Sequence, residues 1–432
     1  MQVSNSSQII SELRRDSRRA FIGNCAALAS VPVLAGLPVN AFAAGASDVL
    51  KVGVIGTGGR GRDAVRNILA AHPSVKIWAL GDLFEDRVTK VRNDLNKNPR
   101  SAVPQERAFV GFDAYKDVIN SGVDLVILTT PPHFRPLHME AAVEKGVHIF
   151  AEKPVAVDPA GCRRVIALGE LAAQKKLSIV AGTQRRHHAG YVETLKRIKE
   201  GAIGELVGGQ CYWVGGELWH NARQPGWTDM EYQIRNWLYY TWLSGDHIVE
   251  QHVHNIDIIN WAFGGPPVKA FGVGGRQRRT LPRYGDAWDH FAIEFEYANG
   301  ARVSSVCRQS NNTANRVNER LVGTLGTAIP NGKIQLFKGE TWNYKGKVPP
   351  EYVQEHVDLI ESIRNGTPLN EARTVAESTL TGILGRVSAY TGKEVSYKWI
   401  LEASKLDLTP PAYKFGEAPE VKVAIPGTTR LV

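Results

Sequence analysis

Cysteine is scarce in this 432-residue sequence: there are four, with no C-x-x-C pair and no zinc-ligand spacing. That excludes a disulfide scaffold and the common zinc modules. Cys162, Cys211 and Cys307 allow at most one internal bridge with a thiol left over. They read as buried free thiols in domains folded under reducing conditions. Long runs of like charge are also missing. The formal charge is +9, but it is spread along the chain. It implies a solvated basic surface, and no nucleic-acid-binding arm. No internal repeat is visible. The N-terminal apolar run, Phe21 to about Leu37, is broken by Pro32, Gly36 and Pro38. It is too short and weak for a stable membrane span.

What is present is an ordinary globular composition, 43% hydrophobic and 22% charged. The length implies two domains plus extensions. Residues 1–43 read as a targeting segment. Ser17-Arg18-Arg19-Ala20-Phe21-Ile22 fits the twin-arginine pattern, the apolar run follows and carries Cys25, and Ala41-Phe42-Ala43 offers an A-x-A cleavage site. The mature protein would begin near Ala44, exported to the periplasm by the twin-arginine machinery. That route carries folded proteins, often with cofactor already bound.

The stretch Lys51–Arg62 is a short β-branched strand, then Gly56-Thr57-Gly58-Gly59-Arg60-Gly61, then a helical pattern with Ala64, Val65, Ile68 and Leu69. Strand, G-x-G-x-x-G turn and helix in that order form a dinucleotide fingerprint. Gly56 permits the turn, Gly58 lets the backbone approach a pyrophosphate, and Gly61 lets the helix pack on the strand. Thr57, Gly59 and Arg60 belong to the same cofactor loop. The pyrophosphate would face free N–H groups at a helix N-terminus. Val75 to Gly81 reads as the second strand and ends at Asp82. An acid there hydrogen-bonds the adenosine ribose and repels a 2′-phosphate, so NAD is favoured over NADP. Arg60, Arg62 and Arg87 would blunt that preference, and Asp82 would equally serve as a helix N-cap.

Further strands at Val123–Thr130, Val147–Ala151 and Leu177–Ala181 alternate with helices. The pattern predicts a doubly wound parallel Rossmann sheet over 44–183, with ligands at strand C-termini, where Asp82, Thr130 and Lys153 fall. From 184 to 401 the character changes. A helix at Tyr191–Gly201, a strand at Glu205–Gly215, a helix at Asp246–Phe263, four alternating strands and two late helices predict an α+β domain with a mostly antiparallel sheet. Residues 402–432, with four prolines, read as an extended surface tail.

Val52–Gly61, Ala142–Pro154 (AVEKGVHIFAEKP), Glu250–Trp261 (EQHVHNIDIINW) and Gly382–Val395 together resemble the Gfo/Idh/MocA family of oxidoreductases. The resemblance covers most of the mature chain. It implies a two-domain NAD(P)-dependent oxidoreductase acting on sugars, polyols or their derivatives, commonly a dimer or tetramer built through the open sheet. By resemblance, Lys153 of Glu152-Lys153-Pro154 sits beside the nicotinamide and the substrate hydroxyl, and the peptide bond before Pro154 is cis. Glu250 and His254 take the places of the family's carboxylate and histidine. Glu250 departs by one methylene from the usual Asp. Thr130, Pro131 and His133 would line the nicotinamide ribose, with Arg135 standing where the family's His would be.

Glu250, His254, Asp257 and Trp261 fall at i, i+4, i+7 and i+11, one face of a helix. His254 is the preferred base, since an unperturbed imidazole has a pKa of ~6.5. The competing readings are a core histidine bonded to Asp257, or a metal site with His247 and His252, although that spacing fits no standard zinc motif. Six tryptophans between residues 213 and 261, with Tyr239 and Tyr240, suit stacking on sugar faces. Gln184, Arg185, Arg235, Trp237, Tyr240 and Asp257 are the candidate substrate contacts. The main expectation is therefore a periplasmic oxidoreductase with tightly bound NAD. The alternatives are a redox-neutral glycosidase of the same superfamily, which the intact Lys153 opposes, and a non-catalytic sugar sensor.

Overall fold

The computed structural model describes residues 49–432. The twin-arginine pattern and the cleavage site lie outside the described residues. The strand expected at the start of the fingerprint is β1, Leu50–Ile55, and it sits at the middle of the first sheet. It pairs in parallel with β2 (Val75–Asp82) on one side and β4 (Leu125–Leu128) on the other. The order is β3-β2-β1-β4-β5-β6, with β3 at Ala108–Val110, β5 at His148–Ala151 and β6 at Ile179–Ala181. All the pairings are parallel. The winding reverses between β1 and β4, which opens a crevice at their C-terminal ends.

Both faces of this sheet are buried, which explains its continuous apolar strands. Val52 and Val54 pack on Ala64, Val65 and Ile68 of α1 (Gly59–Ala71). Ile55, Val126 and Leu128 face the opposite side, against Val118 and Met139. The remaining helices of this region are α2 (Glu85–Leu95), α3 (Ala114–Asn120), α4 (Arg135–Lys145) and α5 (Pro159–Gln174).

The second sheet has nine strands in the order β14-β13-β12-β11-β7-β10-β9-β8-β15, with β8 at Lys269–Gly275 and β15 at Val395–Ser396. Its long central strands are β7 (Leu206–Gly215), β9 (His290–Glu296), β10 (Arg302–Gln309) and β11 (Arg316–Gly323). The β7–β10 pair is parallel and its other pairs are antiparallel. One face is a core in which Phe291, Ile293, Phe295, Val303 and Leu321 meet helical Ile256, Ile259, Ile383 and Leu384. The short hairpin strands β12 (Gly326–Ile329), β13 (Lys333–Leu336) and β14 (Thr341–Asn343) extend the sheet beyond the four strands expected after the central helix.

The helices of this half are α6 (Ala189–Lys199), α7 (Asp229–Arg235), α8 (Thr241–Ser244), α9 (His247–Glu250), α10 (Val253–Phe263), α11 (Glu351–Arg364), α12 (Ala372–Thr391) and α13 (Tyr397–Glu402). Two of them do more than close the second domain. Leu359, Ile360 and Ile363 of α11 pack into the core beside α1. Ala372, Val375 and Ala376 of α12 reach the other face of the Rossmann sheet, while Leu380, Ile383 and Leu384 serve the second core. The helix expected over Asp246–Phe263 is broken into α9 and α10 at Gln251–His252. After α13 the chain runs without helix or strand to residue 432. No helix among the described residues is long and apolar enough to cross a membrane.

Candidate active site

The turn after β1 is built by glycine. Gly56 has φ +95°, and a Cβ there would stand 2.6 Å from the Thr130 nitrogen. A Cβ on Gly61 would overlap the Gly56 carbonyl oxygen. Gly58 and Gly59 differ. A Cβ on Gly59 meets nothing within 4 Å, and one on Gly58 meets only the Arg87 side chain. These two glycines face open space at the start of α1, whose N-terminus has no side-chain cap and no acid in its first turn. Uncapped N–H groups facing a clear cradle fit a dinucleotide phosphate.

The cradle opens into a groove of about 520 Å³ lined by Asp82, Phe84, Phe112, Phe134, Pro131 and Trp219, among others. Asp82 is buried at its edge. Its Oδ2 accepts from Thr57 N at 2.6 Å and from the Thr57 hydroxyl at 3.2 Å, and its Oδ1 accepts from Phe84 N at 3.0 Å. Asp82 thus fixes the glycine loop to the end of β2 and does not cap α2.

A second cavity of about 670 Å³ adjoins the first, and Arg60, Thr129, Thr130 and Trp237 line both. It contains Glu152, Lys153, Gln184, Glu250, His254 and Tyr352. Lys153 Nζ donates to the Glu250 main-chain oxygen at 2.6 Å and to Glu250 Oε1 at 3.3 Å. The helix break makes the first bond available. In a continuous helix the His254 N–H would take that carbonyl, but it donates to the Gln251 oxygen instead. Glu250 Oε2 is buried and without a partner. The Lys153–Pro154 peptide bond is cis, as the resemblance implied.

His254 lies in the cavity stacked near Trp213, ring centroids 5.6 Å apart. Burial, followed by the positive charges of Lys153, Arg185 and Arg60, pushes its pKa well below the usual 6.5. The imidazole is neutral at neutral pH, not poised at its midpoint. The competing readings meet different partners. Asp257 is paired with Arg186 at 2.8 Å and accepts from Ser378 at 2.7 Å. His247 bonds Asp246, and His252 bonds Ser305.

The Arg60 guanidinium, at the border of the two cavities, is engaged by two carboxylates. Its Nε donates to Glu152 Oε1 at 2.5 Å, its Nη2 reaches Glu355 at 3.3 Å, and it lies over the Tyr352 ring. Burial and the neighbouring Glu152 charge raise the Glu355 carboxyl well above its ordinary range. Arg135 is buried and donates to the carbonyl oxygens of Thr130 and Glu152, clamping the loops after β4 and β5 together. Burial lowers its pKa to about 10, against the opposing charges of Glu152 and Glu250.

Several expected contacts lie elsewhere. His133 lines neither cavity. It is buried, with Nε2 2.9 Å from the Tyr413 hydroxyl and its ring against Trp242. Arg235 is on the groove side, bound to Asp86 at 2.9 Å and Glu231 at 2.9 Å, over the Phe84 ring. Tyr240 is core, packed with Trp242 and Leu243. Asp257 is a structural ion-pair partner, and Arg185 is spent on Glu319. Gln184 and Trp237 do line the second cavity, and Gln184 Nε2 donates to the Tyr352 hydroxyl at 3.0 Å. Tyr352, Phe84 and Phe112 were not anticipated. Phe84 and Phe112 follow strand ends, where the Rossmann rule puts ligands. Tyr352 has no local signal.

A parallel dinucleotide sheet, a glycine cradle, and a lysine at the junction with a second, sheet-backed domain define an NAD-binding oxidoreductase. Residues 50–181 match "Oxidoreductase family, NAD-binding Rossmann fold", and residues 191–329 match "GFO/IDH/MocA C-terminal domain". The chain belongs to the Gfo/Idh/MocA oxidoreductase family. It is 25% identical over 346 residues to inositol 2-dehydrogenase 3 of Saccharopolyspora erythraea, covering 79% of this chain and 89% of that one. It is 32% identical over 212 residues to inositol 2-dehydrogenase of Azotobacter vinelandii, covering 47% and 57%. A solved scyllo-inositol dehydrogenase from Lactobacillus casei, with bound NAD(H) and scyllo-inositol, shares the fold. Its TM-score is 0.61 at 16% identity, over 81% of this chain and 99% of that one.

Proposed function

We propose that the protein is an NAD-dependent dehydrogenase of a neutral cyclic polyol or sugar, exported by the twin-arginine route with its cofactor retained. The observation that carries the reading is Lys153, held by Glu250 beside His254 in a cavity continuous with the glycine cradle. The named activities of the relatives support a polyol substrate. Charge balance supports a neutral one. Arg60 is answered by Glu152 and Glu355, Lys153 by Glu250, and Arg66 by Asp63. Arg135 spends donors on two carbonyls. Each of these cations already has an acceptor within the protein.

The bound cofactor supplies a hydride acceptor at its nicotinamide. Lys153 donates to the reacting hydroxyl oxygen and fixes it in place. Neutral His254 takes the hydroxyl proton as the carbon becomes a carbonyl, a contribution typically of ~10²–10⁴-fold. Glu250 Oε2, free of partners, accepts from a second hydroxyl. Gln184 and Tyr352 face the rest of the ring.

The test is to denature the purified native protein and look for released NAD, then to follow NADH formation with myo-inositol, scyllo-inositol and aldoses. Lys153→Met should lower kcat/KM by at least ~10²-fold while NAD affinity holds. Protein without nucleotide and without measurable affinity for it would sink the reading.

A further inference from the structure

Phe84, Phe112 and Phe134, on the segments after β2, β3 and β4, give the groove an aromatic lining. Loops at strand ends are where a groove gives way most easily when an extended ligand leaves. Here each aromatic is backed from outside by the segment that follows α13. Phe415 lies against Phe84 and Phe112, with centroids 6.2 and 5.3 Å apart. Tyr413 lies against Phe112 and Phe134, at 6.4 and 5.7 Å. Its hydroxyl is 2.9 Å from His133 Nε2.

The segment is tied down on both sides of these rings. Leu408 N donates to Asp158 Oδ2 at 2.7 Å, on the carboxylate that also caps α5. Beyond the rings, the Gly416 oxygen accepts from Met230 N at 3.0 Å, and the Pro419 oxygen accepts from Gln233 Nε2 at 3.1 Å. Met230 and Gln233 belong to α7, which also presents Arg235 to Asp86. The base of the excursion is closed by Ser404 Oγ donating to the Val432 oxygen at 2.7 Å.

We propose that residues 404–419 form a strap that holds the aromatic wall closed over the dinucleotide and slows its release, with Tyr413 and Phe415 as its positioning residues. Neither ring touches the groove. They act through Phe84, Phe112 and Phe134, which they meet in tilted aromatic contacts. The inference rests on the groove being the NAD site, and it supplies a physical reason for a retained cofactor.

The test is the NAD(H) dissociation rate, measured by displacement with excess unlabelled nucleotide. Wild type is compared with Phe415→Ala, Tyr413→Phe, Phe415→Leu and a chain ending at Leu406. Phe415→Ala should release cofactor roughly tenfold faster, equivalent to ~1.4 kcal/mol, with the thermal midpoint and circular dichroism of the nucleotide-free protein unchanged. Tyr413→Phe should have a smaller effect, and Phe415→Leu should recover most of the wild-type rate. Where the shortened chain does not fold, the point variants decide. Wild-type release rates in Phe415→Ala would overturn the strap. A wild-type protein with no affinity for NAD(H) would overturn the groove assignment, and the strap with it.

Discussion

Gly58 and Gly61 stand three residues apart in one turn, and substitution should separate fold from function between them. At Gly58 the backbone has φ −67° and ψ −163°, extended values open to any residue. A methyl group there meets only the Arg87 guanidinium at 3.3 Å, the far end of a flexible side chain. Gly58→Ala should therefore leave stability within ~1 kcal/mol of wild type, with a slight gain expected from a less flexible unfolded chain. The same methyl enters the space a pyrophosphate needs to approach the backbone. NAD affinity should fall about 10- to 100-fold, or ~1.4–2.7 kcal/mol. Gly61→Ala reverses the pattern. Its methyl would overlap the Gly56 carbonyl oxygen, backbone against backbone, and neither can swing aside. Overpacking of this kind removes ~1–3 kcal/mol or more. Calorimetric titration with NAD and urea unfolding of both variants make the comparison. Gly58→Ala binding NAD like wild type would refute the cradle, and Gly61→Ala unfolding like wild type would refute the packing argument.

Two further predictions concern protons. Because burial holds His254 below 6.5 and neutral, polyol oxidation should be flat through neutral pH and should fall only as acid protonates the imidazole; an acid limb in kcat/KM centred at 7 or above would assign the base to another group. Burial opposes the charge on His187, but its hydrogen bond to Asp358 and its ion pair with Glu371 win and raise its pKa to about 10. A raised histidine stabilises the fold fully below its unfolded value near 6.5, and the benefit drains away as pH climbs toward 10, by at most ~1.4 kcal/mol per pH unit. Solvent at Asp358 reduces the total to about 2–3 kcal/mol. His187→Gln should remove that alkaline slope from urea-unfolding free energies measured at pH 7 to 10, and an unchanged slope would place its origin elsewhere.

The first half of the fold was legible because its signals are local. β1, the glycine turn and α1 are contiguous, and Gly56 and Gly61 have steric duties that no other residue performs. The place of Lys153 just after β5 was readable from the strand and tripeptide that precede and contain it. The break between α9 and α10 was not. HIVEQHVHNIDII contains no glycine or proline, and the interruption is stabilised at a distance. Lys153 takes the Glu250 carbonyl, and Gln309 donates to Gln251 at 2.7 Å. Arg235, Tyr240 and Asp257 were misplaced for a related reason. Clustering of polar and aromatic residues does not say which way each side chain points, and Arg235 and Asp257 are claimed by partners 149 and 71 positions away. Tyr352 reaches the site, and Phe415 the aromatics that line it, only through the return of the late chain to the Rossmann domain, which nothing in their own neighbourhood announces. β12 to β14 were missed because strands of three or four residues with Gly, Lys and Asn among them lack a usable alternation.

The ammonium of Lys153 leans most closely on an oxygen that belongs to no side chain. Sequence drift at position 250 can exchange one carboxylate for a longer or shorter one, and the shorter of the two Lys153 contacts persists, because a peptide carbonyl is identical in every residue. The changes that would unseat it lie elsewhere, at positions that let the two helical pieces fuse into one and return that carbonyl to the ladder. A directed-evolution library confined to the obvious acid, base and lysine would leave this constraint untouched. One spread over residues 247–256 would find it.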